Sequence, residues 1–197
     1  IISTMDLDIS DIPSVVISPV ADRLDIQRIS QAYERLIRDV RESRFHYLLQ
    51  AISTDAILVH QKCKTKEEIL EKANSILLQK GYVEHGFFDS VKNREKVSST
   101  EIGNGIAIPH GSDKYVNRTA IVLVTLDDPI LWRDGMVSVV LFIAVSFEQK
   151  DTMRKLLKDL YHLISSEDFI GNIQKASTAE EIIGVLYGKS MKQEHCQ

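Results

Sequence analysis

Residues 94 to 111 read Arg-Glu-Lys-Val-Ser-Ser-Thr-Glu-Ile-Gly-Asn-Gly-Ile-Ala-Ile-Pro-His-Gly, a stretch that can hold an anion and present a nucleophile. Gly103 and Gly105 let the backbone turn tightly or let a partner come close. Ile106-Ala107-Ile108 forms a short apolar strand with a small residue at its centre. Pro109 fixes φ just before His110, and Gly111 leaves the imidazole unshielded on one side. A rigid strand thus ends in a presented histidine, which can serve as nucleophile, base or ligand. Metal ligation lacks partners. None of His46, His60, His85, His162 and His195 makes a helical i, i+4 pair, and Cys63 and Cys196 have no ligand-like spacing. Nucleophile or base is the better reading, set against the plainer one in which His110 only hydrogen-bonds a turn.

Other chemistries have no signature. There is no G-x-x-x-x-G-K-[ST] loop and no G-x-G-x-x-G, so nothing argues for nucleotide binding. No G-x-S-x-G elbow supports acyl hydrolysis. The formal net charge of −4 and the pI of about 5.9 argue against direct nucleic-acid contact by this chain. Two cysteines disfavour a disulfide scaffold and fit a reducing cytoplasm. No apolar run nears the roughly 20 residues of a membrane span, so no membrane insertion is expected.

The elements that must position His110 follow from patterning. With 197 residues, 44% hydrophobic and 26% charged, the chain suffices for one ordinary domain with material left over. The fold class is α/β. Ile1-Ile2 and Ser14-Val15-Val16-Ile17-Ser18 read as the last strands of a parallel sheet whose beginning is missing. From Asp22 to about Gln50, Ile29, Tyr33, Leu36, Val40 and Tyr47 recur at helical spacing among arginines and carboxylates. This predicts one amphipathic helix, a linker or a seam for a homodimer. Thr65-Lys66-Glu67-Glu68 is a capping box, followed by Ile69, Ala73, Ile76 and Leu77 and stopped by Gly81. A second helix holds Phe87, Phe88 and Val91. A glycine-rich loop covers 103–111, and strands cover 119–126 and 137–147. A helix carrying Met153, Leu156, Leu157, Leu160 and Leu163 comes next. Thr178-Ala179-Glu180-Glu181 caps a last helix, with Ile182, Ile183 and Leu186 inward and Gly188 as its stop. A polar tail covers 191–197.

The string around His110 resembles the phosphorylation site of the fructose/mannitol-type enzyme IIA domains of the bacterial phosphoenolpyruvate-dependent sugar phosphotransferase system. That signature runs R-E-x-x-x-[ST]-T-x-x-G-x-G-[apolar]-A-[apolar]-P-H. Arg94, Glu95, Ser99, Thr100, Gly103, Gly105, Ala107, Pro109 and His110 match it. The resemblance runs from about Ile52 to Leu186. Tyr82-Val83-Glu84 looks like the family's G-Y-V turn, and Asp128-Pro129-Ile130 with Trp132 and Asp134-Gly135 resembles its P-I-x-W-x-D-G segment. The implied fold is the type-2 IIA fold, a mixed β-sheet flanked by helices, over residues 51–190.

The implied activity is phosphoryl relay. In this family the carrier protein HPr hands a phosphoryl group to the matching histidine, here His110, which passes it to a IIB domain. Arg94 is the natural clamp, since a guanidinium bonds two phosphoryl oxygens at once. The Ser99 and Thr100 hydroxyls and the backbone of Gly103, Gly105, Pro109 and Gly111 are its supporting loop. Neither nucleotide, metal nor other cofactor is required; the phosphoryl group arrives on phospho-HPr. The His110 side chain is expected to be exposed. One departure concerns a second histidine that the family often places at the start of the helix after the central strand. Aligning the leucines puts Met153, or Thr152, at that position.

Residues 1–21 resemble the end of a galactitol-type IIB domain, and 22–50 would then be its linker helix. A IIB-like domain followed by a IIA-like one is the tail of phosphotransferase-regulated activators and antiterminators of the BglG/mannitol-activator type. Their regulatory PRD modules lie upstream and would be further partners. A transport component and an interaction module without phosphorylation are the competing readings.

Overall fold

The computed structural model describes residues 1–5, 14–42, 45–146 and 150–187. The chain forms two compact units, Ile1–Ser43 and Arg44–Gln197. In the first, β1 (Ile2–Ser3) and β2 (Val15–Val16) pair in parallel, as their β-branched composition predicts, and α1 (Arg23–Glu42) follows. Asp25, 2% exposed, accepts from the amides of Ser18 and Asp22 and fixes the entry to α1. The ladder is short and leaves Ile1, Ile2 and Val16 exposed, so it buries little on its own.

The helix expected over 22–50 is not one element. It stops at Glu42, and α2 (His46–Ala51) belongs to the second unit. Phe45 and Leu48 are fully buried there, which removes Tyr47 from any seam on α1. The side chains of Leu36 and Val40 lie outside the described residues.

The second unit is built on a five-stranded sheet in the order β3-β6-β7-β5-β4. These strands are β3 (Ile57–Gln61), β4 (Glu101–Gly103), β5 (Ile106–Ala107), β6 (Ala120–Leu131) and β7 (Met136–Ala144). β3 runs parallel to β6 and β5 parallel to β7, whereas β6–β7 and β4–β5 are antiparallel. The sheet is therefore mixed, as expected. β3 was not anticipated from the sequence, and the loop expected over 103–111 begins as the β4–β5 hairpin.

Period-two alternation splits the central strands between two cores. Val122, Val124, Val140 and Phe142 face α3 (Lys66–Gln79) and α4 (Gly86–Val97) through Ile69, Ala73, Leu77, Phe87 and Val91. Ile121, Leu123, Leu141 and Ile143 face the other way. There they meet α2, α5 (Lys150–Ile164), α6 (Glu167–Lys175) and α7 (Ala179–Leu186). Both faces are covered, which is why 120–126 and 137–144 are near-continuous apolar runs.

The capping boxes form as predicted. Thr65 Oγ1 accepts from the Glu68 amide and Thr178 Oγ1 from the Glu181 amide. Gly81, at φ +67°, closes α3, its amide donating to the Leu78 carbonyl. Leu157 departs from expectation: it is 51% exposed while Leu156, Leu160 and Leu163 are buried. α6 was missed, and Phe147 and Gly188 lie outside the described residues.

α2 is only six residues long and has no side-chain cap from Phe45. Asp159 of α5 supplies one from a distance, its Oδ2 accepting from the amides of Tyr47 (2.7 Å) and Leu48 (3.1 Å). Asp159 is 7% exposed, so the bonds are made away from water. Replacing Asp159 by Ala leaves both amides without that acceptor and is expected to lower unfolding free energy by about 1–3 kcal/mol. Urea denaturation of the two proteins measures it.

Candidate functional site

His110 stands where β5 runs out. Past Ala107 the chain continues beside β7: the Ile143 amide donates to the Pro109 carbonyl at 2.9 Å, and His110 bridges Ile143. Pro109 has no amide of its own and is buried, so the backbone before the histidine is held by packing and by its carbonyl. The His110 side chain is half-buried, not exposed as the sequence suggested. Its Nδ1 lies 2.9 Å from the Ile108 carbonyl oxygen. A carbonyl only accepts, so Nδ1 carries the proton and Nε2 keeps the lone pair. Nε2 has no partner among the described residues.

Gly111 lets α4 close against this strand. A Cβ there would press onto Ser90 Oγ and come within 2.9 Å of Phe87 and Val91. Ser90 Oγ also accepts from the Ser112 amide at 2.9 Å, which fastens the chain just past the histidine to the same helix. Gly103, Asn104 and Gly105 have φ of +89°, +51° and +74°, so the β4–β5 turn runs left-handed at three consecutive positions.

α4 brings Arg94 into its last turn, where Nη1 donates to the Ser98 carbonyl at 3.0 Å. The neighbouring Glu95 points inward and its side chain is 4% exposed. Its Oε2 accepts from Thr100 Oγ1 at 2.6 Å. Its Oε1 accepts from the Thr100 amide at 3.3 Å and from the Trp132 indole at 2.9 Å. Lys66 Nζ stands 3.6 Å away.

Thr100 is engaged within the fold. It is 5% exposed, and its hydroxyl donates to the buried carboxylate of Glu95. Ser99 Oγ accepts from the Glu101 amide at 3.3 Å. Glu95, Trp132 and Lys66 were not singled out for the site. The signal lay in the string itself, since the Glu and Thr fall inside it, but Trp132 and Lys66 reach it only through the fold.

Thr152 and Met153 sit in the first turn of α5, where the chain arrives from the same end of β7. They line a cleft of about 270 Å³ together with Tyr47, Arg118, Thr119 and Ser146. Thr152 and Met153 are the two residues between which the leucine alignment leaves the second-histidine position.

The family model of the phosphoenolpyruvate-dependent sugar phosphotransferase system, EIIA 2, matches residues 50–189. The chain belongs to that family. Across the EIIA 2 domain it is 32% identical to the mannitol-specific phosphotransferase enzyme IIA component of Halalkalibacterium halodurans. That match spans 139 residues, 68% of this chain and 93% of the component. The transcriptional regulator ManR of Bacillus subtilis is 28% identical over 187 residues, 94% of this chain but only 29% of the regulator. The EIIA 2 domain superposes on IIA mannitol from Escherichia coli with a TM-score of 0.60 at 24% identity, covering 68% of this chain and 97% of that one. For the nitrogen regulatory protein IIA-Ntr of Neisseria meningitidis the TM-score is 0.63 at 24% identity, over 71% and 98%. These likenesses establish the fold, a mixed sheet flanked by helices.

Glycine substitutions separate the packed site from open helix. Gly111→Ala overpacks the α4 contact and is expected to cost about 1–3 kcal/mol. At Gly171, inside α6, a Cβ meets nothing within 4 Å, and Gly171→Ala is expected to add about 0.5–1 kcal/mol. Denaturation midpoints of opposite sign check the pair.

Proposed function

We propose that His110 accepts a phosphoryl group from the phosphohistidine of HPr in the cytoplasm, and that the domain serves a sugar-responsive transcription regulator. The observation that supports the chemistry best is the fixed imidazole: Nδ1 faces the Ile108 carbonyl and Nε2 is left as the nucleophile. In the transfer the donor's P–N bond breaks and a new one forms at Nε2, while the Nδ1 proton stays in its hydrogen bond. The transferring group spreads charge over three oxygens, so catalysis is positioning and charge stabilisation. Arg94, one residue from the buried Glu95, is the clamp.

The regulatory context rests on the extent of likeness. The match to ManR covers 94% of this chain and so takes in the N-terminal unit, whereas the IIA component matches 68%. A IIB-like remnant over residues 1–21 fits the parallel β1–β2 pair. Phosphorylation places about −1.5 to −2 charge on His110 and changes its contacts with IIB-like and upstream regulatory domains. A IIA component passing phosphate to a transport IIB is the second reading, favoured by the 32% identity to a mannitol-specific component.

Incubation with enzyme I, HPr and labelled phosphoenolpyruvate tests the acceptor. Acid-labile label is expected on the wild type and none on His110→Ala, with transfer about 100-fold slower for Arg94→Ala. Label retained on His110→Ala overturns the assignment. Restoration of sugar phosphorylation by the chain with a matching IIB–IIC shifts the balance to transport.

A further inference from the structure

We propose that Glu95 is a positioning residue for His110: it fixes the Ile108 carbonyl that selects the Nδ1-protonated tautomer. This rests on the reading that Nε2 is the phosphoryl acceptor.

A continuous run of hydrogen bonds joins the two residues. Glu95 takes both the hydroxyl and the amide of Thr100. The Thr100 carbonyl accepts from the Ile108 amide at 2.9 Å. The Ile108 carbonyl accepts from His110 Nδ1 at 2.9 Å. Two bonds from one carboxylate to one residue set the orientation of Thr100, not merely its distance. That orientation aims its carbonyl at Ile108 and so holds the strand residue on which the imidazole rests. Pro109, between Ile108 and His110, offers no amide through which the chain could re-pair.

The carboxylate is itself fixed from two other elements. The Trp132 indole reaches it from the end of the β6–β7 hairpin, and Lys66 from the first turn of α3. Packing alone does not explain such an arrangement, because buried ionic groups are often replaceable by apolar ones without loss of stability. What an apolar residue cannot do is accept two donors from Thr100. Neutral imidazole can carry its proton on either nitrogen, and the acceptor at one nitrogen decides which. Loss of the Ile108 carbonyl from its place frees Nδ1 to compete as the lone-pair nitrogen, and Nε2 is then protonated for part of the time.

The experiment uses the whole chain, ¹⁵N-labelled on histidine, with Glu95→Gln, Thr100→Val, Thr100→Ser and Trp132→Phe. Glu95→Gln keeps the shape but gives one oxygen where three donors need acceptors. Thr100→Val keeps the shape and removes only the hydroxyl, so it serves if Glu95→Gln does not fold. The imidazole nitrogen shifts of His110 report the tautomer directly. The wild type is expected to be Nδ1-protonated, and Glu95→Gln and Thr100→Val to show mixed tautomers. Transfer from phospho-HPr should fall about 10–100-fold in kcat with KM for the donor unchanged, the scale seen for partners that orient a metal-ligating histidine. Thr100→Ser restores both readouts, and Trp132→Phe, which leaves the Thr100 bonds intact, retains the tautomer. A folded Glu95→Gln and Thr100→Val with the wild-type tautomer overturns the proposal, as does a wild-type imidazole protonated at Nε2. Failure of the wild type to accept phosphate, with the tautomer shift intact, overturns the acceptor reading and leaves the positioning role of Glu95 standing.

Discussion

A carboxylate with a 4% exposed side chain persists in a fold only if its lone pairs are filled, because an unpaired buried charge costs several kcal/mol. Glu95 meets that demand with three donors and an ammonium drawn from α3, the residue just before β4 and the turn between β6 and β7. The demand works in both directions. Each of these elements is located by the carboxylate it serves, and α4, which carries both Arg94 and Glu95, is thereby referenced to the strand that ends in His110.

The rest of the second unit supplies the stiff frame on which that reference is useful. β6 and β7 pair over most of their length and are buried on both faces, so neither can slip by one residue without turning an apolar row toward the wrong core. His110 is locked to this pair through Ile143. The histidine is thus fixed from the sheet side by backbone pairing and from the helix side by Gly111 and Ser90. Asp159 does similar work on the opposite face, tying α2 to α5.

Local signals carried the sequence reading furthest. The capping boxes at Thr65 and Thr178 and the glycine stop at Gly81 involve residues within four positions, so their physics is complete in the string. The signature around His110 was legible for the same reason. β3 was not, because five residues pairing in parallel with β6 depend on a partner some 65 positions away, as the His60–Thr125 bond illustrates. α6 offered a single buried face, Ile170 and Ile173, around a glycine that speaks against a helix. The continuous helix over 22–50 was plausible by periodicity alone; burial of Phe45 and Leu48 overrode it. Thr100 shows the limit most sharply. A hydroxyl beside a phosphoryl site invites a role as donor to phosphate, and only the tertiary placement of Glu95 shows where its proton goes.

Half-burial of the His110 imidazole narrows its choices. An exposed imidazole is free to rotate and to protonate either nitrogen, so only part of its population presents the right lone pair. Withdrawing Nδ1 against the Ile108 carbonyl costs exposure but removes the competing nitrogen and one rotational freedom together. In the proposed acceptor role no neighbouring base is needed at Nε2, since an imidazole nitrogen with a free lone pair is itself a nucleophile. On the proposed acceptor role, the reactivity of His110 would come from restricting its alternatives, through hydrogen bonds that run back through Thr100 to a carboxylate fifteen residues earlier in the chain.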